Sequence, residues 1–383
     1  MNKLVYIVVP IIVIAVVVIS IVKIDGVEPI DSEKLTCTKT TDQSAVKHSE
    51  NADKVRAVWI YYRELSTDVN DAGDYEKKID KIFSTISDKK YNVAFVQVRA
   101  FADAFYKSEY FPVSKYLCGG NASFDALEII CKVAKKYGIA VHAWINPYRV
   151  SYEAEDTAGE NMLKTGTGVF YDPANNDAQQ LILNGVKELI QNYDISGIHI
   201  DDYFYPSDIG ETDKASYDEY VKEGGTLPID SWRRSNVNYL MRHIYEFMKA
   251  KNIGLIFSIS PSADIGKNYS SYYADVYAWC GNKGYADWII PQIYFGYNNS
   301  SMPFERTLSS WENLIQNDSV KLIVGLAGYK SGKTDQFAGD GQNEFLDSAD
   351  VIDRQIQDVL GRDTCLGFSV YSYESIRDGK VNA

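Results

Sequence analysis

The sequence predicts a (β/α)8 barrel, a closed parallel sheet of eight strands surrounded by helices. From Val55 onward, short apolar runs alternate with amphipathic helical patterns, and eight such alternations favour a barrel over a doubly wound sheet. Predicted helices connect to the next strand through short segments. Predicted strands connect to the next helix through long ones, at 100–123, 147–176, 202–230 and 328–347. This asymmetry concentrates chain at the carboxyl ends of the strands, where barrels build active sites.

An apolar run from Leu4 to Val22 precedes the barrel and is long enough to span a bilayer. No small-residue cleavage site and no lipid-anchor cysteine accompany it. We therefore expect residues 1–23 to form a transmembrane anchor, with a cleaved signal peptide as the alternative, and residues 24–54 to form a flexible tether. The barrel spans residues 55–383. The protein is then a single-pass protein of the cell membrane with an extracellular barrel, or a secreted protein if the segment is cleaved.

Each of the eight strand predictions is a short run that is mostly apolar on both faces, as expected for parallel strands covered by helices. In chain order they cover 55–62, 91–99, 140–146, 197–201, 255–260, 288–295, 321–327 and 365–373. The helical patterns between them cover 75–89, 124–137, 177–192, 231–250, 271–281, 303–317 and 348–361. The run at 178–192 is the clearest amphipathic helix, and Asp177 is its expected N-cap. The eighth helix is expected to be short, because few residues follow Tyr373.

Composition narrows the class of partner. The formal net charge of −13 argues against nucleic acid, because phosphate recognition needs basic patches. The 29 tyrosines and 6 tryptophans offer flat apolar faces that suit a carbohydrate groove, although a barrel surface merely rich in tyrosine is the alternative. The five cysteines have no Cys-x-x-Cys spacing, and Cys118 and Cys131 are either bridged or free. No obligate protein partner is evident.

The most informative segment is the run GIHIDDYFYP at 197–206, which covers the fourth predicted strand and its carboxyl end. It places Asp201 and Asp202 where barrels carry catalytic groups, and Tyr203 follows them directly. Two carboxyl groups among aromatic rings indicate acid and base catalysis on a sugar. The alternative is that one of the two aspartates only caps the turn that follows the strand.

Side-chain alternation groups further polar residues at the strand ends. It places His199 and Asp201 on one face of the fourth strand. Within strands three and six, the same parity joins two further pairs, His142 with Asn146 and Gln292 with Tyr294. Buried polar groups need partners, so we expect one hydrogen-bonded network near the barrel mouth. The alternatives are that the two histidines are satisfied core residues and that the strand-six pair braces the barrel.

The residue pattern disfavours a metal site. His48 and His243 lie in the predicted tether and a predicted helix, and His142 and His199 show no spacing typical of metal ligands. No metal or other cofactor is expected. A metal-dependent polysaccharide deacetylase stays as an alternative that would need a His and Asp ligand set.

Several long runs resemble the glycosyl-hydrolase-like family 10 proteins, and the resemblance covers about residues 55–374. The runs are VRAVWI, FVQVRAFADAFYKSEYFPVSKYL, VHAWINPYRVS, YDISGIHIDDYFYP, SWRRSNVNYL and IIPQIY. The resemblance implies a bacterial extracytoplasmic barrel that cleaves a cell-wall glycan or an exopolysaccharide. One branch of that family acts on peptidoglycan strands stripped of their stem peptides. The expected partners are therefore a glycan substrate and the bacterial membrane.

The family's matching positions supply the expected site. Besides Asp201 and Asp202, we expect these positions to bind the substrate: Arg99, Asp103, His142, Asn146, Tyr148, Arg149, His199, Tyr203, Gln292 and Tyr294. Arg99 and Arg149 would suit the lactyl carboxylate of muramic acid. The run from Gly197 to Asp201 is also similar to the pattern that carries the nucleophile in amylase-type barrels. In family-18 chitinases the acid matches position 203, which is a tyrosine here.

The leading hypothesis from the sequence is a glycoside hydrolase. Asp201 acts as nucleophile or as the base that activates water, and Asp202, Glu374 and Asp264 compete to protonate the leaving oxygen. If the substrate carries an N-acetyl group, that group replaces the protein nucleophile, and Asp201 or Asp202 orients it. A non-catalytic carbohydrate-binding barrel is the alternative.

Overall fold

The computed structural model describes residues 54–153 and 158–382. The predicted membrane segment and nearly all of the predicted tether lie outside these residues. Within the described ranges, no helix is both long enough and apolar enough to cross a membrane.

Eleven strands form two sheets in the described part of the chain. They are β1 (Val55–Ile60), β2 (Val93–Arg99), β3 (Ala140–Ile145), β4 (Arg149–Ser151), β5 (Met162–Thr165), β6 (Gly168–Tyr171), β7 (Gly197–Ile200), β8 (Ile256–Ile259), β9 (Trp288–Ile289), β10 (Lys321–Leu326) and β11 (Cys365–Tyr371). Eight of them close into a parallel barrel in the order β1-β2-β3-β7-β8-β9-β10-β11. The predicted barrel is confirmed, and β7, which leads to Asp201, is its fourth strand.

Twelve α-helices cover or join these strands in the described ranges. They are α1 (Tyr62–Leu65), α2 (Ala72–Asp88), α3 (Ala126–Lys136), α4 (Asn176–Asn192), α5 (Lys214–Lys222), α6 (Ile229–Lys251), α7 (Ile265–Ser271), α8 (Val276–Gly281), α9 (Phe304–Leu314), α10 (Glu344–Asp347), α11 (Val351–Leu360) and α12 (Tyr373–Arg377). The predicted helix at 271–281 corresponds to the end of α7 and to α8. The helix after β11 is short, as expected.

Three local predictions need correction. The N-cap of α4 is Asn175, whose side chain accepts the N–H of Ala178, and Asp177 lies in the first turn instead. The link at 147–176 is more ordered than a plain loop, because β4, β6 and β5 form an antiparallel sheet within it. The sixth barrel strand, β9, ends at Ile289, and beyond it only isolated bridges at Gln292 continue the pairing. Proline lacks the N–H that a ladder needs, and Pro291 follows shortly after β9.

Aromatic rings fill the barrel interior. Phe95 stacks on His199 with ring centroids 4.1 Å apart, and Trp288 stacks on His142 at 5.1 Å. His199 Nε2 accepts the indole N–H of Trp59 at 2.9 Å. These rings pack against one another inside the barrel, so both histidines belong to the packed interior.

Gly367 lies where β11 pairs with β1 and closes the barrel, and it is the register partner of Val55. A Cβ atom at Gly367 would overlap the backbone of Val55, including its carbonyl oxygen. We expect Gly367→Ala to lower the free energy of unfolding by roughly 1–3 kcal/mol, because a packed backbone cannot move aside freely. Urea unfolding monitored by circular dichroism measures the change.

Gly281→Ala is the matched control. Gly281 is the exposed last residue of α8, and a Cβ atom there meets no atom within 4 Å. Its stability should be unchanged or slightly raised, since alanine restricts the unfolded chain more than glycine does. Equal stabilities of the two variants would contradict this account of barrel closure.

Candidate active site

A cleft of about 460 Å³ opens where the carboxyl ends of the barrel strands meet. Two tryptophans and seven tyrosines make up most of its lining: Trp59, Trp144, Tyr61, Tyr62, Tyr152, Tyr203, Tyr294, Tyr329 and Tyr371. The remaining lining residues are polar or charged: Arg63, Gln97, Arg149, Asp201, Asp202 and Gln292. Among the described residues, the two aspartates supply the only carboxyl groups that line this cleft.

Asp201 directly follows β7 and is held by a chain of amides from neighbouring strands. Asn146 Nδ2 donates to both of its carboxyl oxygens, at 2.8 and 2.7 Å. Gln97 Nε2 in turn donates to Asn146 Oδ1 at 2.6 Å, and the N–H of Tyr62 donates to Gln97 Oε1 at 3.1 Å. This network fixes the Asp201 carboxyl from one side. It leaves His199 out, because that ring bonds to Trp59 and lies within 2.9 Å of the Ser258 hydroxyl.

Asp202 lies closer to solvent than Asp201. Asp201 is only 3% exposed, whereas Asp202 is partly exposed and hydrogen-bonds to the side chain of Gln292. Gln292 Nε2 is itself within 3.2 Å of the Ser260 carbonyl oxygen, which positions the amide between two acceptors. The pair therefore offers one fixed carboxyl and one that the cleft leaves accessible.

Burial raises the pKa of both aspartates. For Asp201, burial and then the charge of Asp202 raise the pKa to about 7. For Asp202, burial raises the pKa, while the hydrogen bond from Gln292 and the charge of Arg149 lower it. The charge of Asp202 disfavours ionisation of Asp201, so the pair loses its last proton at a higher pH than an isolated aspartate would.

Arg149 is the buried cation of the cleft. Its guanidinium group lies 4.0 Å from the ring centroid of Tyr203 and 4.4 Å from that of Tyr152. Arg149 Nε donates to the Ala100 carbonyl oxygen at 3.2 Å. Its charge opposes the rise in pKa of both aspartates, so it stabilises their ionised forms. Arg63, on α1, is an exposed second cation at the cleft.

Six predicted binding residues do not line the cleft: His142 and His199 in the packed interior, Asn146 bonded to Asp201, and Arg99, Asp103 and Tyr148. Arg99 is 1% exposed, donates from Nη2 to the Pro147 carbonyl oxygen at 3.2 Å and lies over the ring of Phe111. Asp103 accepts the hydroxyl of Ser114 at 2.6 Å. Tyr148 is fully buried. Arg99 thus joins β2 to the loop after β3, and Asp103 bonds within the loop after β2; neither these two nor Tyr148 lines the cleft.

The other two predicted catalytic carboxyl groups also lie elsewhere. Asp264 caps α7 by accepting the N–H of Lys267 at 2.9 Å. Glu374 is exposed and lies 3.6 Å from Arg377. Of the four predicted catalytic residues, the structure brings Asp201 and Asp202 together in the cleft and leaves the other two outside it.

Sequence reasoning did not identify one further wall of the cleft. Tyr61, Tyr329 and Tyr371 come from the ends of the first, seventh and eighth barrel strands, and the ring of Tyr371 lies 6.1 Å from both of the others. Tyr371 was missed because the predicted strand extended to residue 373, whereas β11 ends at Tyr371. Side-chain alternation counted from the observed end of β11 points Tyr371 into the barrel, and this signal identifies it.

Glu64 is a second group that sequence reasoning missed. Its carboxyl accepts the N–H of Tyr61 at 2.8 Å and the N–H of Glu374 at 2.6 Å, and burial raises its pKa to about 7. Glu64 does not line the cleft. Its contacts tie the end of β1 to the start of α12, so its role in this structure is to hold those two segments together.

The interior histidines do not form a metal centre. No group of three or more His, Cys, Asp or Glu side chains within 54–153 and 158–382 is arranged to hold a metal ion. Burial lowers the pKa of His142 to about 3 and that of His199 well below its usual value. Both rings are therefore neutral at physiological pH.

Comparisons with known proteins agree with this architecture. The sequence profile of the family described as glycosyl hydrolase-like 10 matches residues 54–340. The chain is 29% identical over 351 residues to glycosyl hydrolase YngK of Bacillus subtilis (strain 168), covering 82% of this chain and 68% of YngK. It is 27% identical over 289 residues to glycosyl hydrolase DigH of Escherichia coli (strain K12), covering 65% of each protein.

One solved structure is similar over the whole of its length. The glycoside hydrolase domain of PgaB (BpsB) from Bordetella bronchiseptica has a TM-score of 0.59 and 12% sequence identity, covering 86% of this chain and 100% of that domain. At this identity the likeness concerns the fold alone.

Proposed function

The chain belongs to the glycosyl hydrolase-like 10 family, and on that premise we propose that it hydrolyses O-glycosyl bonds with its Asp201–Asp202 pair. One observation carries the proposal: two adjacent carboxyl groups, both with raised pKa values, line an aromatic cleft at the carboxyl end of a barrel. Glycoside hydrolysis needs a carboxyl that is protonated at working pH and a second that is ionised. A pair that retains one proton supplies both.

The substrate we propose is a bacterial cell-wall glycan, with peptide-free peptidoglycan strands as the leading candidate and an exopolysaccharide as the alternative. Aromatic faces stack on sugar rings, and the cleft offers nine aromatic side chains. Arg63 and Arg149 line the same cleft in a chain of net charge −13, which suits a sugar that carries a carboxylate. The apolar run at 4–22 supports an extracytoplasmic location, anchored or secreted.

The test is cleavage by the purified full-length protein. Peptidoglycan, peptide-free strands prepared from it and a panel of neutral polysaccharides would be incubated with the wild type and with Asp201→Asn, and released fragments identified by mass spectrometry. We expect fragments from the peptide-free strands that require Asp201. Tight binding without fragments would reject the hydrolase in favour of a carbohydrate-binding barrel, and release of acetate alone would indicate a deacetylase.

The pH dependence of cleavage follows from the raised pKa values. Cleavage needs a proton on the Asp201–Asp202 pair, so we expect kcat/KM to fall as the pH rises through about 7, the value to which burial and the charge of Asp202 raise the pKa of Asp201 in the free protein. Initial rates on soluble glycan strands between pH 4 and pH 9 measure this. A rate that stays constant up to pH 9 would show that no group of the pair acts as the acid.

A further inference from the structure

The cleft holds two carboxyl groups on consecutive residues and none facing them. From this we infer that the nucleophile is the 2-acetamido group of the substrate, with Asp201 orienting that group and Asp202 acting as acid and base. This inference rests on the proposed hydrolase and names its substrate class: β-linked 2-acetamido sugars.

Asp201 and Asp202 are consecutive residues at the end of one strand. A mechanism with two protein carboxyls places them on opposite sides of the anomeric carbon, about 5 Å apart for retention and about 6.5–9.5 Å apart for inversion. Asp201 and Asp202 follow one strand, β7, and approach a bound sugar from one wall of the cleft. One of them can protonate the leaving oxygen, but the opposite face of the sugar then needs another nucleophile.

Tyrosine side chains form the wall opposite the two aspartates. In the barrel, β11 lies four strands from β7 in both directions around the ring, so its end faces the aspartate pair across the cleft. Tyr371 ends β11, and Tyr61, Tyr294 and Tyr329 lie around it, with ring centroids 6.1 to 6.4 Å from that of Tyr371. Among the described residues, these four line the wall with hydroxyl groups, and the nearest carboxyl, that of Glu64, adds its charge to the burial that raises the pKa of Tyr371 but does not line the cleft.

Neither a tyrosine nor Glu64 replaces the missing nucleophile. Burial raises the pKa of Tyr371 and of Tyr294 well above the usual tyrosine value, so both stay un-ionised near neutral pH. Glu64 accepts backbone N–H groups with both of its oxygens and does not line the cleft. A group carried by the substrate is the remaining nucleophile.

The surroundings of the two aspartates assign their roles. Asp201 is held by Asn146 through both oxygens and is almost fully buried, which suits a carboxylate that orients a substrate N–H. Asp202 is more exposed, so it can reach a leaving group and then a water molecule. The N–H of a bound acetamido group favours the ionised form of Asp201, which leaves the shared proton on Asp202.

The proposed reaction has two steps and needs only the substrate, the two aspartates and water. The acetamido carbonyl oxygen forms a bond to C1 as the bond from C1 to the glycosidic oxygen breaks, and Asp202 gives its proton to that leaving oxygen. Asp201 accepts the N–H hydrogen bond and stabilises the oxazolinium ion. Water then adds to C1 as the bond from C1 to the acetamido oxygen breaks, which restores the acetamido group. The water molecule gives a proton to Asp202. Attack from within the sugar requires C1 and C2 substituents to be trans, hence a β-linked gluco sugar, and the product keeps the β configuration.

The experiment varies the nucleophile of the substrate. Peptide-free glycan strands would be N-deacetylated chemically and then re-acylated with either acetyl or trifluoroacetyl groups, and new reducing ends would be counted with the full-length protein. We expect the re-acetylated strands to be cleaved like native ones. We expect no measurable cleavage of the free-amine or trifluoroacetyl strands. A free amine lacks the carbonyl oxygen that attacks C1, and fluorine withdraws electron density from that oxygen.

The outcomes distinguish failure of the inference from failure of the proposed hydrolase function. Equal cleavage of acetyl and trifluoroacetyl strands would overturn the inference and leave the hydrolase standing. Cleavage of no strand would reject the hydrolase and the inference together.

The roles of the aspartates have their own test. A 4-nitrophenyl β-glycoside of an N-acetylglucosamine disaccharide has a leaving group that needs no protonation. We expect azide to restore nitrophenol release by Asp202→Asn, since azide replaces water that needs a base, and to leave Asp201→Asn inactive. Restoration of Asp201→Asn alone would overturn the assignment.

Discussion

Asp202→Asn is expected to slow glycan cleavage by about 10²–10⁴-fold, the usual contribution of a positioned acid or base. An amide cannot donate a carboxyl proton, and Asp202 is the more accessible carboxyl of the only two that line the cleft in the described part of the chain. Binding should survive, because the aromatic wall and Arg149 are untouched. Steady-state rates of reducing-end formation, with binding measured separately by calorimetry, give both quantities.

Asp264→Asn is the matched control, because it makes the same chemical change at another carboxyl near a strand end. Asp264 caps α7, and asparagine caps a helix about as well as aspartate. Its activity should equal that of the wild type. A similar loss in both variants, or an active Asp202→Asn protein, would contradict the assignment of the acid.

Asp213→Asn is expected to lower the free energy of unfolding by about 3–5 kcal/mol, since it removes the buried counter-charge of Arg233 and leaves only the exposed Asp230, 3.9 Å away. Asp213 is fully buried, and its Oδ2 accepts from Arg233 Nε at 2.8 Å while its Oδ1 accepts from Arg233 Nη2. Arg233, on α6, also donates to the Gly210 carbonyl oxygen and to the Tyr273 hydroxyl. These contacts fasten the loop that begins with the aspartate pair to the outer helix. Chemical denaturation measures the loss.

Asp218→Asn is the control for this second substitution. Asp218 pairs with Lys214 on the surface of α5, and both side chains are more than half exposed. Exposed pairs contribute about 0–1 kcal/mol, so this variant should unfold close to the wild type. If the two variants lost equal stability, the Arg233 contact would not be the anchor of this loop.

The fold was predictable from local patterns. Every barrel strand was found, because a short apolar run bounded by turns needs no knowledge of the rest of the chain. The largest error in length was at β9, since Pro291 interrupts a run that hydropathy alone extends to residue 295. The small sheet of β4, β5 and β6 was missed because its three- and four-residue strands are too short to show a period.

The site was predictable only in part. Asp201 and Asp202 directly follow β7, so the end of this strand places them at the cleft regardless of the conformation of the loop that follows. The directions of Asp264 and Glu374 depend on turns after their strands, and those turns place one at a helix cap and the other on the surface. Gln97 was overlooked although it is the single amide within the apolar run VAFVQVR, where a polar group needs a buried partner.

Cleavage of peptide-free glycan strands in H₂¹⁸O tests the central claim most directly, with fragments of wild type and Asp202→Asn compared by mass spectrometry. Hydrolysis by the aspartate pair predicts wild-type fragments with one ¹⁸O at each new reducing end and far fewer such fragments from the variant in the same time. Fragments with dehydrated, unlabelled ends, or labelled fragments formed equally by Asp202→Asn, would contradict it.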